Sequence, residues 1–344
     1  MFKPKYTISN RLLANVKRIT EIIADLNSQI FSDIVLAKLE RTAREISAFS
    51  STSIEGNPLP LTDVKKILKN RPEHVRDSER EVLNYNNALI ELNDLVRSKK
   101  QVFNLSLILK IQKTVTFDLI EKYRSGKLRQ EPVFVNDPRN HKTIYLPPEH
   151  LEVPKLMSEL LDYITRNENK VDSLILAGIF HKQFVIIHPF IDGNGRTARL
   201  ATKVLLAKMG LNTFNLFSFE NYYNKNVSKY FNEVGLVGNY YDIKSQIDFT
   251  SWLEYFTDGV IDELLRVNKD LIRENISPET ELKDYHRKII GYIEKHGYIR
   301  DHEYAKITER AKPTRNLDFR KLISLGFIEK LGKGKATYYK LKSA

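Results

Sequence analysis

Cysteine is absent from this chain of 344 residues. Disulfide bonds, zinc sites built on thiolates and cysteine nucleophiles are therefore excluded, and any catalysis has to use other side chains. Apolar residues make up 42% of the chain and charged residues 28%. That balance is typical of a folded soluble protein, and the length predicts two or three domains.

Long apolar runs are also missing from the sequence. The best candidate for a membrane span, residues 174–191, is interrupted by His181, Lys182 and Gln183, which are too polar for a bilayer core. The N-terminal residues lack the apolar run of a signal peptide. We therefore expect no membrane partner and a cytoplasmic location.

The formal net charge of +12 is unevenly distributed along the chain. Residues 281–344 contain sixteen lysines and arginines against eight acidic residues, a net charge of +8. A break precedes this segment, because Pro278 disfavours helical geometry at the residue before it in the run Asn275–Thr280. We predict a domain boundary near 276–281, followed by a basic domain whose charge suits nucleic acid or another polyanion.

Helical periodicity dominates the remaining sequence and predicts a mostly α fold. Apolar spacing from Ile34 to Phe49 indicates a helix that extends to about residue 56, where Gly56 and Pro58 stop it. Other helices are predicted at residues 61–69, 78–97, 106–117, 153–164, 172–187, 197–209 and 251–268. A β-hairpin is predicted from residues 132–135 and 143–146, which flank the turn-rich residues 136–140. The predicted domains are a helical region at 1–100, a core at 101–275 and a third domain at 281–344.

The segment His188–Arg199 has the strongest chemical signal, with the sequence His-Pro-Phe-Ile-Asp-Gly-Asn-Gly-Arg-Thr-Ala-Arg. It is predicted to join the end of one helix to the start of the next. Gly193, Asn194 and Gly195 tolerate positive φ, and consecutive backbone N–H groups at a helix N-terminus bind anions. Arg196 and Arg199 are three residues apart, so both can face the same anion.

Two more residues of this segment suit phosphate chemistry. The Asp192 carboxylate could hold Mg²⁺ beside a phosphate, and His188 could accept a proton from a hydroxyl nucleophile. Each feature alone has an ordinary explanation as a turn, a structural histidine or a solvated helix face. Their occurrence within twelve residues favours a phosphate or nucleotide site, although the spacing matches neither the Walker A nor the dinucleotide pattern.

The same segment resembles the complete signature of the Fic (filamentation induced by cAMP) family, His-x-Phe-x-Asp/Glu-Gly-Asn-Gly-Arg-x-x-Arg. Every specified position is filled. The resemblance covers about residues 31–270, and the stretches Gly126–Arg129 and Tyr145–Pro148 look like the family's flap region. It implies a Fic-type helical core with a small β-hairpin flap. It also implies transfer of AMP from ATP to a hydroxyl of a target protein, with Mg²⁺ bound beside the nucleotide.

The resemblance also implies a role for each site residue. His188 would deprotonate a Ser, Thr or Tyr hydroxyl of the target, Phe190 would anchor the loop, and Asp192 would hold Mg²⁺. The ATP-binding residues would be Glu55, Thr143, Ile144, Tyr145, Asp192, Gly193, Asn194, Gly195, Arg196, Thr197, Arg199 and Tyr230. The flap residues Thr143, Ile144 and Tyr145 would hold the target as an added strand, and Tyr230 would lie near the adenine. Gly195 favours adenylylation over phosphorylation, because Doc-like kinases carry lysine at this position.

Residues 51–56, Ser-Thr-Ser-Ile-Glu-Gly, are similar to the family's inhibitory motif Ser/Thr-x-x-x-Glu-Gly/Asn. The pattern is short, and a solvated glutamate at a helix end is the alternative interpretation. The resemblance implies that Glu55 pairs with Arg199 and so occupies the group that would bind the γ-phosphate, while Ser51 helps to fix the helix and Gly56 completes the motif. In some relatives the same glutamate helps to remove AMP, so a reverse activity is an open alternative.

Residues 283–344 are predicted to form a winged helix, with helices at 284–295, 303–308 and 313–325 and strands at 327–331 and 337–341. The predicted DNA contacts are Arg315, Asn316, Arg320, Lys333 and Lys335. Winged helices also serve as protein-interaction modules, so a protein partner or a homodimer stays open.

Two function hypotheses follow from these features. The first is an autoinhibited protein adenylyltransferase that modifies a target protein and itself. The second is a DNA-binding regulator whose Fic core senses nucleotide. His188 favours the first, because sensing phosphates needs no base.

Overall fold

The computed structural model describes residues 1–98, 103–136, 143–274 and 282–342, without the side chain of Lys335. Helices dominate it, so the prediction of a mostly α fold is confirmed. Up to residue 274 the helices are α1 (Asn10–Ser28), α2 (Asp33–Ile54), α3 (Leu61–Asn70), α4 (Asp77–Ser98), α5 (Leu105–Val115), α6 (Val153–Asn167), α7 (Ser173–Ile187), α8 (Asn194–Leu206), α9 (Glu220–Lys225), α10 (Val227–Val234), α11 (Tyr240–Ile243) and α12 (Thr250–Arg273).

One continuous hydrophobic core joins these helices. It includes Leu12 of α1, Leu89 of α4, Phe180 of α7 and Leu264 of α12. The predicted border near residue 100 therefore does not separate two cores, and the N-terminal helices pack directly onto those around the His188 segment.

Helix α7 lies at the centre of this core and is buried on nearly every face, as expected for a helix that is apolar all round. Helix α12 approaches it closely, and the Trp252 indole Nε1 donates a hydrogen bond of 2.7 Å to the carbonyl of Gly178. A Cβ at position 178 would lie 2.6 Å from Leu253 Cδ2, so a larger residue would force the Leu253 side chain to shift. The close packing gives α7 a fixed position, and the candidate site begins at its C-terminal end.

Helix α2 follows the predicted boundaries. Ser32 caps its start, because the Ser32 hydroxyl accepts a hydrogen bond from the backbone N–H of Val35. Its end lies at Ile54, and Gly56 follows with a φ of +93° in the left-handed region that favours glycine.

The predicted hairpin is present as strands β1 (Val135–Asn136) and β2 (Thr143–Leu146), which pair antiparallel. Its predicted turn at residues 137–140 lies outside the described residues. Strand β3 (Gly238–Asn239), which the sequence did not predict, pairs parallel to β2 through Tyr145 and Leu146. One edge of β2 is therefore already occupied at these two positions.

Residues 282–342, hereafter the C-terminal unit, contain three helices and a strand pair. These are α13 (Asp284–His296), α14 (Asp301–Ile307), α15 (Lys312–Ser324), β4 (Ile328–Leu331) and β5 (Tyr338–Leu341), with β4 and β5 antiparallel. The element order is the predicted one, and its identity as a winged helix stays a prediction. The predicted boundary at 276–281 lies outside the described residues. Within the described ranges, no helix combines the length and apolar character needed to cross a membrane.

Candidate active site

The candidate site is the loop of residues 188–193 that connects α7 to α8. His188 ends α7 in the left-handed conformation, with φ +51° and ψ +59°. Its Nδ1 lies 3.3 Å from the carbonyl oxygen of Val185. Because a carbonyl can only accept, Nδ1 carries the proton and Nε2 keeps its lone pair. Burial lowers the pKa of His188 to about 4, with nearby Arg129 acting in the same direction, so the ring is a neutral base near pH 7.

The loop is held in shape from inside by two residues of the signature. The Asn194 side chain accepts a hydrogen bond from the Phe190 backbone N–H at 2.9 Å and donates one to the Phe190 carbonyl at 2.8 Å. Phe190 itself is fully buried, which agrees with the predicted anchor. The Asn194 amide therefore fixes the loop, and only its backbone N–H stays available for the predicted phosphate contact.

Two residues that the sequence did not assign to the site hold the loop from outside. The Arg129 guanidinium donates to the His188 carbonyl at 2.8 Å, and its backbone N–H donates to the Pro189 carbonyl at 2.9 Å. Buried Gln112 donates to the Asp192 carbonyl at 3.1 Å. Arg129 lies in the flap-like stretch Gly126–Arg129, but its contact with a loop 59 residues away leaves no signal in the local sequence.

Replacing Arg129 is expected to slow the reaction of this site by about a hundredfold, because a displacement of about 1 Å costs that much when geometry controls catalysis. Lysine at position 129 keeps the charge but cannot reproduce the planar fork of donors, whereas glutamine loses both. We expect Arg129→Gln to lose more activity than Arg129→Lys. Arg129→Gln also removes the cation, which should raise the pKa of His188. The loss of rate at low pH should therefore shift to higher pH in Arg129→Gln but not in Arg129→Lys.

Steady-state rates against pH for both variants, with thermal melting as the stability check, measure these effects. Wild-type rates in both folded variants would contradict the role assigned to Arg129.

The first turns of α8 present unused donors toward the loop. Arg196 donates to Glu81 at 3.0 Å and to Asp192 at 2.8 Å. Buried polar atoms without a hydrogen-bond partner in the described part of the chain include Arg196 Nε, Arg199 Nη1 and Thr197 Oγ1. Unpaired buried donors are costly unless a ligand satisfies them. Three such groups at the start of one helix fit the anion site predicted from the sequence.

The end of α2 closes this anion site. Glu55 Oε1 accepts a hydrogen bond from Arg199 Nη2 at 2.7 Å. Ser51 strengthens the contact, because its hydroxyl accepts from Arg199 Nε at 2.8 Å and its carbonyl accepts from Nη2 at 2.9 Å. Arg199 is fully buried, and the Glu55 carboxylate helps to raise the arginine's pKa above its usual range against the opposing effect of burial.

Gly195 makes room for the Glu55 carboxylate. A Cβ at position 195 would lie 2.1 Å from Glu55 Oε1 and 3.1 Å from Arg199 Nη1. No side chain fits there while Glu55 holds Arg199. The glycine that the resemblance connects with nucleotide orientation is thus also required by this ion pair.

Two of the residues predicted to contact ATP have buried rings in this structure. The Tyr145 ring is 3% exposed, and its hydroxyl donates to the Ile186 carbonyl at 2.9 Å. The Tyr230 ring is 1% exposed, is stacked on Tyr223 and shares a hydrogen bond of 3.0 Å with His181 Nε2. Both rings belong to the core because aromatic groups gain most by burial, so neither offers a face to a base in this conformation.

The other flap residues keep their predicted place. Thr143 is exposed and Ile144 is half-buried, and both lie on β2 outside the positions paired to β3.

The predicted DNA contacts separate into two groups. Arg315 is 12% exposed and is occupied, because Nε and Nη2 each donate to Asp301 at 2.8 Å. A bidentate partner therefore already satisfies this guanidinium, and the predicted DNA contact at Arg315 stays a prediction. Asn316, Arg320 and Lys333 are exposed, while the Lys335 side chain lies outside the described structure.

Comparison with known proteins places this loop within a known domain. Residues 102–206 match the model of the Fic/DOC family, so the chain contains a Fic domain. Among curated proteins, it is 28% identical over 166 residues to the protein adenylyltransferase Fic of Nematostella vectensis, covering 47% of this chain and 37% of the relative. It is 26% identical over 217 residues to the protein of the same name from Aedes aegypti, covering 58% and 42%. The chain thus spans about two fifths of the length of these relatives.

Solved structures share the fold. A Fic family protein from Desulfovibrio desulfuricans has a TM-score of 0.63 at 22% identity and covers 100% of this chain and 99% of its own. Fic-1 from Caenorhabditis elegans has a TM-score of 0.60 at 19% identity, covering 76% and 73%. At such identities, these likenesses establish the fold alone.

Proposed function

We propose that this protein is a protein adenylyltransferase that transfers AMP from ATP to a hydroxyl side chain of a target protein. The observation that carries this proposal is the neutral His188 at the end of α7, directly before the anion-binding start of α8. A phosphate sensor needs the anion site but not the base. Curated relatives named protein adenylyltransferase support the same reaction.

In the proposed reaction, His188 Nε2 takes the proton of the target hydroxyl. The hydroxyl oxygen then forms a bond to the α-phosphorus of ATP, and the bond from that phosphorus to the pyrophosphate oxygen breaks. AMP stays on the protein and pyrophosphate leaves. The loop supplies positioning and donors for the developing charge, which are the main sources of rate in phosphoryl transfer.

The phosphates are assigned to the loop and the first turns of α8. Backbone N–H groups of Gly193, Asn194 and Gly195 face the phosphates, and Arg196 and Arg199 neutralise the outer ones. Thr197 adds a buried hydroxyl at the same helix start. Arg199 is the γ-phosphate ligand in this assignment, so its guanidinium has to leave Glu55.

Mg²⁺ fits the site as a cation held mainly by the nucleotide. The described residues contain no cluster of three metal-binding side chains, and Mg²⁺ commonly uses one or two carboxylates with phosphates and water. Asp192 suits that requirement, because its carboxylate is half exposed and uses one oxygen for Arg196. When bound, the cation would neutralise charge between the α- and β-phosphates.

The target is assigned to the outer edge of the flap. Thr143 and Ile144 lie beyond the positions of β2 that pair with β3, so an extended target segment has two residues of free edge to pair with. Self-modification is part of the proposal, as are a cytoplasmic location and a possible homodimer. The identity of the target is left to experiment.

Incubation of the full chain with ATP labelled on the α- or the γ-phosphate, together with cell extract, tests the reaction type. Compared with extract that lacks the chain, we expect added protein-bound label from α-labelled ATP only. Label from γ-labelled ATP would instead indicate a kinase, against the expectation from Gly195. Loss of pre-attached AMP on incubation without ATP would identify the reverse activity.

The alternative function, a DNA-binding regulator, has less support than the adenylyltransferase. It depends on Asn316, Arg320 and Lys333, since Arg315 is engaged by Asp301.

A further inference from the structure

We propose that the C-terminal unit controls the inhibitory contact between Glu55 and Arg199 through α2. This helix contributes both to the core of the C-terminal unit and to the inhibitory contact. This inference rests on the proposed function for its activity readout and on the structure for its mechanism. The first half of α2 contacts both the C-terminal unit and the main core, and its C-terminal end places Ser51 and Glu55 on Arg199.

The first observation is that α2 contributes to the core of the C-terminal unit. Ile34 is buried in the same hydrophobic cluster as Ile289, Ile293 and Phe319, and Ala37 packs against it. At its N-terminal end, Asp33 pairs with Arg287 of α13. The start of α2 is thereby an integral part of a second hydrophobic core.

The second observation is a buried ion pair in the middle of the helix. Arg44 is 6% exposed and pairs with Glu294 of α13 and with Glu40 at 3.2 Å. One turn earlier, Arg41 Nη2 donates to the Lys342 carbonyl at 3.0 Å. Removing one partner of a buried ion pair leaves an uncompensated charge, so this contact is sensitive to any movement of α13 against α2.

The third observation is that the second half of α2 is buried mainly through small and polar side chains, with Ala48 and Ile54 joining the main core. The buried residues from position 43 to the end of the helix are Ala43, Arg44, Glu45, Ser47, Ala48, Ser50, Ser51, Thr52 and Ile54. Small and polar side chains bury little apolar area, which is the main source of packing stability. Ser47, for example, contacts the Ser218 hydroxyl at 2.6 Å and the Glu220 carboxylate at 3.2 Å.

Helix α2 therefore connects the C-terminal unit mechanically to Glu55. A helix rises 1.5 Å per residue, so Arg44 lies about 16 Å along the axis from Glu55. A rigid helix whose start forms part of the core of the C-terminal unit transmits movement of that unit to Glu55. Because coupling is reciprocal, release of Glu55 also weakens the docking of the C-terminal unit.

Glu294→Gln in the full chain tests the proposal. We expect self-incorporation of AMP to rise at least about fivefold over wild type, the lower end of typical coupling. In the Glu55→Gly background, the same substitution should have no effect, because the inhibitory contact is already gone. Asp301→Asn is the matched control, since it breaks a bidentate ion pair inside the C-terminal unit without contacting α2.

A second variant and a second readout separate this inference from the proposed function. Arg287→Ala removes a half-exposed partner of Asp33, so it is expected to fold and to give a smaller rise in AMP incorporation. Hydrogen exchange of the amides at 51–55 should be faster in Glu294→Gln than in wild type and in Asp301→Asn. Hydrogen exchange tests the coupling between the C-terminal unit and Glu55 even if Glu55→Gly incorporates no AMP. Such a lack of incorporation would reject the proposed function. Unchanged exchange, or an equal rise in both Glu55 backgrounds, would overturn the proposal.

Discussion

Glu55→Gly is expected to raise incorporation of AMP by about ten- to a hundredfold over wild type. The substitution removes the 2.7 Å hydrogen bond from Arg199 Nη2, and hydrogen bonds to charged groups contribute about 1.5–3 kcal/mol. Each 1.4 kcal/mol corresponds to a factor of ten. Arg199 is fully buried, so the freed guanidinium lacks a carboxylate partner and gains most from a phosphate.

Glycine is a suitable replacement at this position. Glu55 lies just beyond the last helical residue, Ile54, where glycine is well tolerated. The helix itself should therefore survive the substitution, and the effect can be assigned to the lost carboxylate. Glu55→Gln retains the shape and a neutral acceptor, so we expect an intermediate rise.

Scintillation counting of α-labelled ATP incorporated into the purified chain measures this effect. Melting temperatures of both variants show whether the fold is kept. If wild type and Glu55→Gly incorporate AMP at equal rates, the inhibitory role of Glu55 is wrong.

His188→Ala in the Glu55→Gly background is expected to lower the rate by about a hundred- to ten-thousandfold, the usual contribution of a positioned general base. The effect is best measured without Glu55, because the inhibited wild type leaves little rate to lose. The anion site should still bind ATP, since none of the α8 donors is changed. A loss in kcat with little change in the Kd for ATP is therefore the expected signature.

The pH profile of the Glu55→Gly enzyme gives an independent check on His188. Burial lowers the pKa of this ring to about 4, and the reaction needs the neutral form. The rate should therefore stay level as pH falls from 8 to 6 and decline only at or below about pH 4, because loss of the Glu55 carboxylate lowers the pKa of His188 further. An ordinary exposed histidine would give a decline near pH 6.5.

His302→Ala serves as the matched control, because this histidine is exposed on the C-terminal unit. It should leave the rate and the pH profile unchanged. A rate within threefold of the parent for His188→Ala would exclude His188 as the base.

The parts of the site that the sequence predicted correctly are those that lie close together along the chain. The loop after His188 and the end of α2 near Gly56 depend on local rules for glycine, helix caps and periodicity. Helix α8, by contrast, begins at Asn194, three residues before the predicted start at 197. The pairing of Glu55 with Arg199 was accessible only through the family resemblance, because nothing in the spacing of two residues 144 positions apart indicates contact.

The remaining features depend on which side chains the fold buries. Tyr145 and Tyr230 carry groups that could contact a nucleotide, yet packing places both rings in the core. Arg315 carries a charge that could contact DNA, yet Asp301 neutralises it. Residue type and position on a helix could not distinguish these outcomes, since burial depends on neighbours from distant segments.

By itself, the sequence determined which residues are proposed for the chemistry of the site, because the proposed base, the glycine-containing loop and the two arginines follow one another within twelve residues. Only the tertiary structure decided how that chemistry is held and restrained. Arg129 reaches the loop from 59 residues away, and α2 joins the C-terminal unit to Arg199. Such contacts arise from the packing of distant segments around common cores, and no local pattern in the chain encodes them.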